Sequence, residues 1–352
     1  MPDAAPGIAD IDPTSWQVTI LPLPKGHSRG SAYGFCGGHP VGRAERLRSP
    51  SVGCWWPDGR PELLTFPGCK LVNPGRAAGN VIPGHWRTDD GTMGALRWRL
   101  RSGALEGGRL DAPPLASSWA TAATDGMVVG IGTPPRPADG RARNVGVVWR
   151  EDGTVEVISG EGDVVINAGA GTAVAGNVRG RAMLWPDAAS TPIDLTPPGM
   201  AMADIRALDG AVQAGVAYKG NRSRAALWAG TATSCRDLTP TAMQVAQLSD
   251  AASGYQVGSV RARENTPNGT PGSDNRAVLW QGAADRWIDL NALLPQDKYN
   301  ASSAMAIAVE GGVVRICGQA VRYEVERAGT PHESHVVPVT HPVLWTARRR
   351  GG

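Results

Sequence analysis

Histidine is the side chain in this chain of 352 residues that could move protons near neutral pH, and there are six of them. Imidazole changes its protonation state close to physiological pH, so a well-placed histidine can act as a general acid or base. Four of the six lie in polar segments between apolar runs, namely His39, His85, His332 and His335. If the protein is an enzyme, we predict His39, His85 and His332 as catalytic residues of a lyase or cyclase reaction.

Arginine side chains in the same polar segments could hold an anionic group, because a guanidinium binds carboxylate or phosphate through paired hydrogen bonds. We predict a substrate-binding set of five arginines, one tyrosine and one tryptophan: Arg43, Arg87, Arg143, Arg261, Arg322, Tyr323 and Trp86. The predicted ligand is a small polar or anionic molecule. A second interpretation stays open, since surface loops need solvated side chains whether or not they bind anything.

Two other sequence patterns are weaker indicators of function than the histidines and arginines. His332-Glu333-Ser334-His335 offers metal ligands, but without the helical spacing that makes a zinc motif specific, so we predict no metal. Gly26-His27-Ser28-Arg29-Gly30 matches the Gly-x-Ser-x-Gly motif of serine hydrolases. That motif requires a following helix, and the sequence predicts none here. With no phosphate-binding glycine loop and no Cys-x-x-Cys pair, we predict no cofactor.

The charge balance excludes some partners. The net charge is +3, and only four of the 35 basic residues are lysines. An arginine-rich composition suits planar anion recognition but also follows from GC-rich coding, and so small an excess does not indicate nucleic-acid binding. An apolar fraction of 41% is ample for a packed core.

Targeting signals are not evident in the sequence. The first 13 residues contain acids and prolines rather than a basic start and an apolar run, so we predict no signal peptide. No apolar run reaches membrane-spanning length. The five cysteines are odd in number and lack metal-site spacing. We therefore expect reduced thiols and a cytoplasmic monomer with no membrane partner.

A repeated pentapeptide predicts the elements that position these side chains. Variants of Arg-Ala-x-Leu-Trp end at Trp185, Trp228, Trp280 and Trp345, and weaker copies end at Trp55, Trp98 and Trp149. The period is about 48 residues, which is typical of propeller blades. Seven copies therefore predict an all-β, seven-bladed β-propeller.

Each repeat supplies four antiparallel strands, a to d from the axis to the rim. An Asp-Leu pair recurs nine residues after the tryptophan in three copies, which indicates a hairpin into strand d. We predict that the strand-c tryptophan packs between blades with its N–H on a carbonyl. The preceding arginine, as in Arg181, Arg224 and Arg276, is predicted to be a structural donor, and His341 occupies the same place.

The last repeat ends soon after Trp345 and lacks strand d. Residues 15–22 resemble the outer strand of the preceding repeat, so we predict that this N-terminal strand closes the ring and covers the open sheet edge. The predicted organisation is a flexible segment 1–13, one propeller domain 14–347, and a flexible basic tail 348–352.

The motif resembles the bacterial HAF repeat, whose copies read roughly His/Arg-Ala-Phe-Leu-Trp followed by Asp-Leu-Gly. The match is good over residues 181–290 and loose over 31–345, and the usual Asp-Leu-Gly becomes Asp-Leu-Thr or Asp-Leu-Asn here. The resemblance implies a propeller-like fold and no particular reaction.

The loops that join strand b to strand c vary most in length, and they meet on one face of a propeller around the axial channel. Variable loops on a fixed scaffold usually set specificity. We predict a small-molecule-binding propeller acting at this channel mouth, with lyase or cyclase chemistry if it is an enzyme. The alternative is a noncatalytic propeller that presents the loops to a protein partner. A lectin-like carbohydrate binder is the third interpretation. It requires equivalent pockets between blades, and the unequal loop lengths argue against such pockets.

Overall fold

The computed structural model describes residues 8–46, 49–112, 114–124, 126–136, 140, 143–262, 275–327 and 334–350. These residues form seven sheets, each with four antiparallel strands, so the predicted all-β, seven-bladed propeller is confirmed. Short 3-10 turns at Pro57–Gly59, Ala232–Ser234 and Asn291–Leu293 follow three of the strands.

The first four blades follow one another along the chain, with strands in the order a, b, c, d. Blade 1 contains β2 (Arg29–Cys36), β3 (His39–Glu45), β4 (Val52–Trp55) and β5 (Glu62–Leu63). Blade 2 contains β6 (Leu71–Pro74), β7 (Val81–Arg87), β8 (Met93–Arg101) and β9 (Ala104–Leu110). Blade 3 contains β10 (Ser117–Thr124), β11 (Met127–Thr133), β12 (Val145–Arg150) and β13 (Val155–Ile158). Blade 4 contains β14 (Val164–Ala170), β15 (Ala173–Val178), β16 (Arg181–Trp185) and β17 (Ile193–Asp194).

The last three blades follow in the same order, and the seventh takes its outer strand from the N-terminus. Blade 5 contains β18 (Met202–Asp209), β19 (Val212–Lys219), β20 (Arg222–Trp228) and β21 (Arg236–Asp237). Blade 6 contains β22 (Met243–Ala252), β23 (Tyr255–Ala262), β24 (Asn275–Trp280) and β25 (Trp287–Asp289). Blade 7 contains β26 (Ala301–Glu310), β27 (Val313–Arg327), β28 (Ser334–Arg348) and β1 (Gln17–Ile20).

The N-terminal strand closes the ring as predicted. Strand β1 pairs antiparallel with β28, with Val18 opposite Trp345. The sequence predicts a flexible segment 1–13, but part of it is packed against the propeller. Ile8 and Ile11 are buried in the core between blades 6 and 7. The predicted tail is also ordered at its start, because Arg349 pairs with Ile11 in an isolated bridge. Burial of two isoleucines holds this segment in place.

Each blade has a glycine in strand b where strand a comes too close for any side chain. The glycines are Gly42, Gly84, Gly130, Gly176, Gly215, Gly258 and Gly318. A Cβ at these positions would lie 1.9–2.5 Å from a carbonyl oxygen of strand a. In six blades strand a bulges at this point, as at Ile166/Ala168 in β14. A bulge leaves one residue unpaired and bends the strand, so it brings the backbone against strand b.

The repeated tryptophan packs against the preceding blade and donates its N–H to that blade in four cases. Nε1 of Trp149, for example, lies 3.0 Å from the carbonyl oxygen of Asp111, which follows strand d of blade 2. Trp98 and Trp345 make equivalent bonds. In blade 1 the equivalent residue is Trp56, whose Nε1 lies 2.8 Å from the Pro22 carbonyl. The sequence assignment of Trp55 was therefore wrong by one residue.

The repeated arginine forms an ion pair with the aspartate of the Asp-Leu motif in the same blade. Arg276 Nη1 lies 2.8 Å from Asp289, and Arg181 and Arg224 pair likewise with Asp194 and Asp237. The predicted structural role of these arginines is confirmed.

The same role predicted for His341 is wrong. Blade 7 has β1 as its strand d, and the position of the missing aspartate is occupied by Ile20, opposite Val343. His341 Nε2 is buried with no hydrogen-bond partner among the described residues, and the ring packs edge-on against Tyr299. Burial lowers the pKa of His341, and the nearby charge of Arg322 lowers it further. Glu324 acts in the opposite direction but is the smaller effect, so the neutral form of His341 is favoured.

In the described parts of the chain we find no helix with the length and hydropathy to cross a bilayer.

Candidate functional site

The axial channel is blocked by one side chain, Arg76, which follows the innermost strand of blade 2. Its Nη1 donates to the Ser249 carbonyl oxygen at 3.0 Å and lies 3.4 Å from Oδ1 of Asp250, both in blade 6. Its Nη2 donates to the Asn167 carbonyl oxygen of blade 4 at 2.7 Å. Blades 4 and 6 hold this guanidinium in place, and Arg76 lines two axial cavities, one on either side of it.

The Arg76 backbone is fixed as firmly as its side chain. Its N–H donates to the Thr121 carbonyl at 2.8 Å, and its own carbonyl accepts from the Ala123 N–H at 3.0 Å. These bonds join it to strand a of blade 3 in a parallel bridge. The arginine therefore crosses the channel from an anchored position.

Asp250 is the acidic partner of this guanidinium. Its side chain is 16% exposed, and its Oδ2 accepts the N–H of Ile307 from blade 7 at 3.0 Å. Burial raises the pKa of Asp250, while Arg76 and the backbone donors act in the opposite direction. Desolvation is the larger effect, so this carboxyl holds a proton to higher pH than an exposed aspartate does.

Residues at the bulges of the inner strands line the channel and bond to the next blade. Thr121 donates its hydroxyl to the Ile166 carbonyl at 2.7 Å, and Asn167 Nδ2 donates to the Ile205 carbonyl at 3.1 Å. Arg206 Nη1 donates to Gln247 Oε1 at 3.0 Å. These side-chain hydrogen bonds link blades 3 to 6 to one another around the axis.

The upper cavity lies on the b–c side of Arg76 and has a volume of about 300 Å³. Its walls are polar throughout: Arg76, Thr121, Asn167, Asp204, Arg206 and Ser249. Arg206 Nε lies 3.5 Å from Asp204 Oδ2 here, and Arg76 pairs with Asp250, so each of the two guanidinium groups has a carboxylate partner. The cavity is closed at its inner end by Arg76.

The lower cavity lies on the opposite side of Arg76, has a volume of about 450 Å³, and is lined mainly by alanine and glycine from the a–b hairpins. Asp209 and Glu310 stand at its mouth. This face, which the sequence did not single out, holds the larger of the two axial cavities.

The predicted catalytic histidines are not brought together. His39 directly follows the a–b turn of blade 1, so it lies on the face opposite the predicted one, where its Nδ1 accepts the Asp58 N–H at 3.3 Å. His85 lies in β7 beside Asn73, 3.4 Å from its Nδ2, and burial lowers the pKa of His85. His332 lies outside the described residues. Neither described histidine lines an axial cavity.

The predicted arginines lie at the b–c ends of their blades but stay outside the axial cavities. Arg43 pairs with Glu45 and Arg322 with Glu324, at 3.2 and 2.5 Å. Arg143 Nη1 donates to the Glu161 carbonyl at 3.3 Å. Arg87 ends β7, and Arg261 stands one residue before the end of β23. They form a basic rim rather than a converging clamp.

The predicted aromatic residues also lie away from the axis. Trp86 is only 8% exposed, and the Arg109 guanidinium lies 4.4 Å from its ring centroid. Its ring therefore packs inside the protein, in the core cluster between blades 1 and 2. Tyr323 lies on β27, where it pairs with Pro338.

Tyr323 belongs to a β-hairpin arm where the sequence predicts a long b–c loop. Strands β27 and β28 pair without interruption from Val313–Arg348 to Arg327–Ser334. Beyond Val321 they pair only with each other, which extends the ribbon by about 20 Å at 3.3 Å per residue. The paired residues 322–327 and 334–340 therefore extend beyond the rest of the blade at its b–c end.

Sequence reasoning missed Arg76 and Arg206. In the printed sequence Arg76 follows Pro74-Gly75, which breaks the strand pattern of blade 2, and Arg206 alternates with apolar residues of blade 5. One signal in the sequence could have identified the channel. It is an arginine at a position where neighbouring repeats have alanine or a small polar residue. Among the residues the structure describes, no three potential metal ligands cluster.

The fold defines the class of the protein, a seven-bladed β-propeller, and it is similar to solved structures that include the following two. The β-propeller domain of the Trilobed protease from Pyrococcus furiosus matches with a TM-score of 0.51 at 10% identity, over 88% of this chain and 97% of that one. It has an open velcro topology, whereas β1 closes the ring here.

Prolyl oligopeptidase B from Galerina marginata, bound to a 35mer hydrolysis and macrocyclization substrate, matches with a TM-score of 0.50 at 13% identity. The match covers 90% of this chain and 52% of the oligopeptidase, so this chain spans about half of its length. At such identities both structures show the fold alone. No protein-family model matches the chain, so the HAF resemblance stays a prediction. No curated protein matches it in sequence.

Proposed function

We propose that this propeller binds a small polar molecule with an anionic group in the upper cavity of its channel. The observation that carries the proposal is the position of Arg76, whose guanidinium forms the floor of this polar cavity. Binding sites are usually concave and contain a few convergent polar groups.

Arg206 is the residue we propose as the main anchor. Its guanidinium has five N–H donors. Only the bond from Nη1 to Gln247 and the approach of Nε to Asp204 engage them among the described residues. Its side chain is 29% exposed. An anion here would complete the hydrogen bonding of Arg206 in a partly desolvated site, where charge-assisted bonds are strong.

Binding is favoured over lyase or cyclase chemistry by the placement of the titratable groups. Such a reaction needs a proton carrier within hydrogen-bond reach of the ligand. His39 and His85 lie away from the upper cavity, and the carboxyl that lines it, Asp204, accepts hydrogen bonds from Asn167 and Asn177 and pairs with Arg206. We therefore propose a ligand-binding rather than a lyase or cyclase role for this site.

The test is a thermal-shift screen of the wild type and Arg206→Gln against small carboxylates, phosphorylated metabolites and matched neutral compounds. A ligand that binds only the native state raises the melting temperature. We expect at least one anionic compound to stabilise the wild type and not Arg206→Gln. The control is Arg222→Gln, which removes one exposed arginine charge from blade 5. Equal stabilisation of all three proteins would contradict the proposal.

The hairpin arm supports a second candidate, a noncatalytic propeller that binds a protein partner. Its two edges beyond Val321 and Pro342 carry no neighbouring strand among the described residues. An unpaired edge can accept a strand from another chain. If the ligand screen is silent, affinity capture with the wild type and a variant lacking residues 323–338 tests this. A partner retained equally by both proteins would contradict it.

A further inference from the structure

A second basic site lies outside the channel, on the outer strands of blade 2. Arg97, Arg99 and Arg101 occupy alternate positions of β8, so their side chains leave the same face of the sheet. Ala95, on that face, packs with core residues of blade 3. The three arginines therefore face the gap between blades 2 and 3, spaced by about 6.7 Å along the strand.

The positive charge of this face is not balanced. Arg99 Nη1 lies 2.7 Å from Glu151 of blade 3, and Arg101 Nη1 lies 3.6 Å from Glu106. Arg97 has no hydrogen bond or ion pair to any described residue. Three guanidinium groups thus face two carboxylates, and one cation is left over.

Two further observations show unmet bonding at this site. Arg99 Nε is buried without a hydrogen-bond partner in the described parts of the chain. Burial lowers the pKa of Arg97, and the charges of Arg99 and Arg101 lower it further, while Glu151 acts in the opposite direction. A buried donor without a partner and crowded like charges are both costly, and an anion would relieve both.

The backbone opposite the arginines leaves room for such an anion. Arg97 pairs with Gly108 of β9, and a Cβ built on Gly108 would meet no atom within 4 Å. The three arginines, Glu106, Gly107, Gly108 and Glu151 line a groove of about 400 Å³. The missing side chain at Gly108 therefore leaves the Arg97 guanidinium accessible.

We infer that this groove between blades 2 and 3 binds a multiply charged oxyanion, a phosphate or sulfate group, through Arg97 and Arg99. A tetrahedral oxyanion offers several acceptor oxygens, which suits two guanidinium groups on one strand face. None of the groove residues lines the axial cavities, so the inference does not depend on the proposed function.

The experiment is a calorimetric titration with inorganic phosphate and, separately, sodium sulfate at low ionic strength. We expect saturable binding of at least one of these to the wild type, weakened at least tenfold in Arg97→Gln. Gly108→Glu is the second variant, since it places a competing carboxylate opposite Arg97 without removing an arginine. We expect it to abolish binding, whereas Gly108→Ala retains it. Binding of phosphate but not of sulfate indicates a phosphate site, and binding of both indicates a general oxyanion site.

Two control variants separate this groove from the upper cavity. Arg222→Gln removes an equal charge elsewhere, and Arg206→Gln alters the upper cavity. Arg222→Gln is expected to bind phosphate or sulfate like the wild type, and Arg206→Gln is expected to retain the binding that Arg97→Gln weakens. No saturable binding to the wild type, or binding that Arg206→Gln abolishes and Arg97→Gln leaves unchanged, would overturn the inference. Melting temperatures near that of the wild type verify that each variant is folded.

Discussion

Arg76 of blade 2 and Asp250 of blade 6 meet across the propeller axis, with Nη1 and Oδ1 3.4 Å apart. The two blades stand on nearly opposite sides of the ring, so this pair links parts of the sequence that lie 174 residues apart. Ion pairs between neighbouring strands are common, but this one spans the channel and separates its two cavities. The pair therefore acts both on stability and on the shape of the candidate site.

Removing only the arginine of this pair is predicted to destabilise the fold strongly. Arg76→Met leaves the Asp250 carboxylate mostly buried with no cation, and breaking a buried pair in this way costs about 3–5 kcal/mol. In the double variant Arg76→Met/Asp250→Asn the unpaired charge is gone, so part of the loss returns. Urea denaturation of the three proteins measures this, and a single variant as stable as the wild type would contradict it.

The raised pKa of Asp250 predicts a pH dependence of stability. The folded protein holds this proton more tightly than the unfolded chain does, so the contribution of Asp250 to the free energy of unfolding falls as pH rises. The fall begins near the ordinary aspartate pKa of about 3.9 and ends above the raised folded pKa. The wild type should therefore lose stability relative to Asp250→Asn over this acidic range. Parallel pH profiles of the two proteins would argue against it.

The repeated tryptophans should respond unequally to the same substitution. Trp149 Nε1 donates to the Asp111 carbonyl, whereas Trp228 Nε1 has no partner within the described residues. Both are buried. We predict that Trp149→Phe lowers the free energy of unfolding by about 1 kcal/mol more than Trp228→Phe, the net contribution of one hydrogen bond. Chemical denaturation compares them, and the reverse order would be inconsistent with the structure.

The strand-b glycines are predicted to tolerate no side chain. A Cβ on Gly176 would lie 1.9 Å from the Val165 carbonyl oxygen, so Gly176→Ala forces backbone strands apart. Overpacking typically costs about 1–3 kcal/mol. We expect the upper end of this range, because the paired backbone of strands a and b cannot move apart. Gly108→Ala is the matched control, since open space surrounds that position in another strand. Similar melting temperatures for the two variants would count against this explanation.

The architecture could be predicted from the sequence because one motif recurs with a fixed internal geometry. Arg276 and Asp289 form the ion pair that joins strands c and d, and Trp345 packs on the blade before it. Such contacts are local to a repeat or its neighbour, so spacing alone reveals them. The one-residue error at Trp55 arose because two adjacent tryptophans fit the spacing, and only the pairing register distinguishes Trp56.

The candidate site could not be predicted in the same way, because it forms between distant repeats. Arg76 meets Asn167 and Asp250 only once the ring has closed. His39 was placed on the wrong face, because the sequence does not show that strand b begins directly after the Gly37-Gly38 turn. Polarity along the chain identified the basic rim, whereas the channel lining depends on which side chain each bulge turns toward the axis.

The most direct test of the account is a calorimetric titration with the strongest ligand from the thermal-shift screen. It compares the wild type, Arg206→Gln of the upper cavity and Arg97→Gln of the outer groove. We predict one site per chain in the wild type, at least tenfold weaker binding in Arg206→Gln, and unchanged binding in Arg97→Gln. Undiminished affinity in Arg206→Gln would show that the upper cavity is not where the ligand binds.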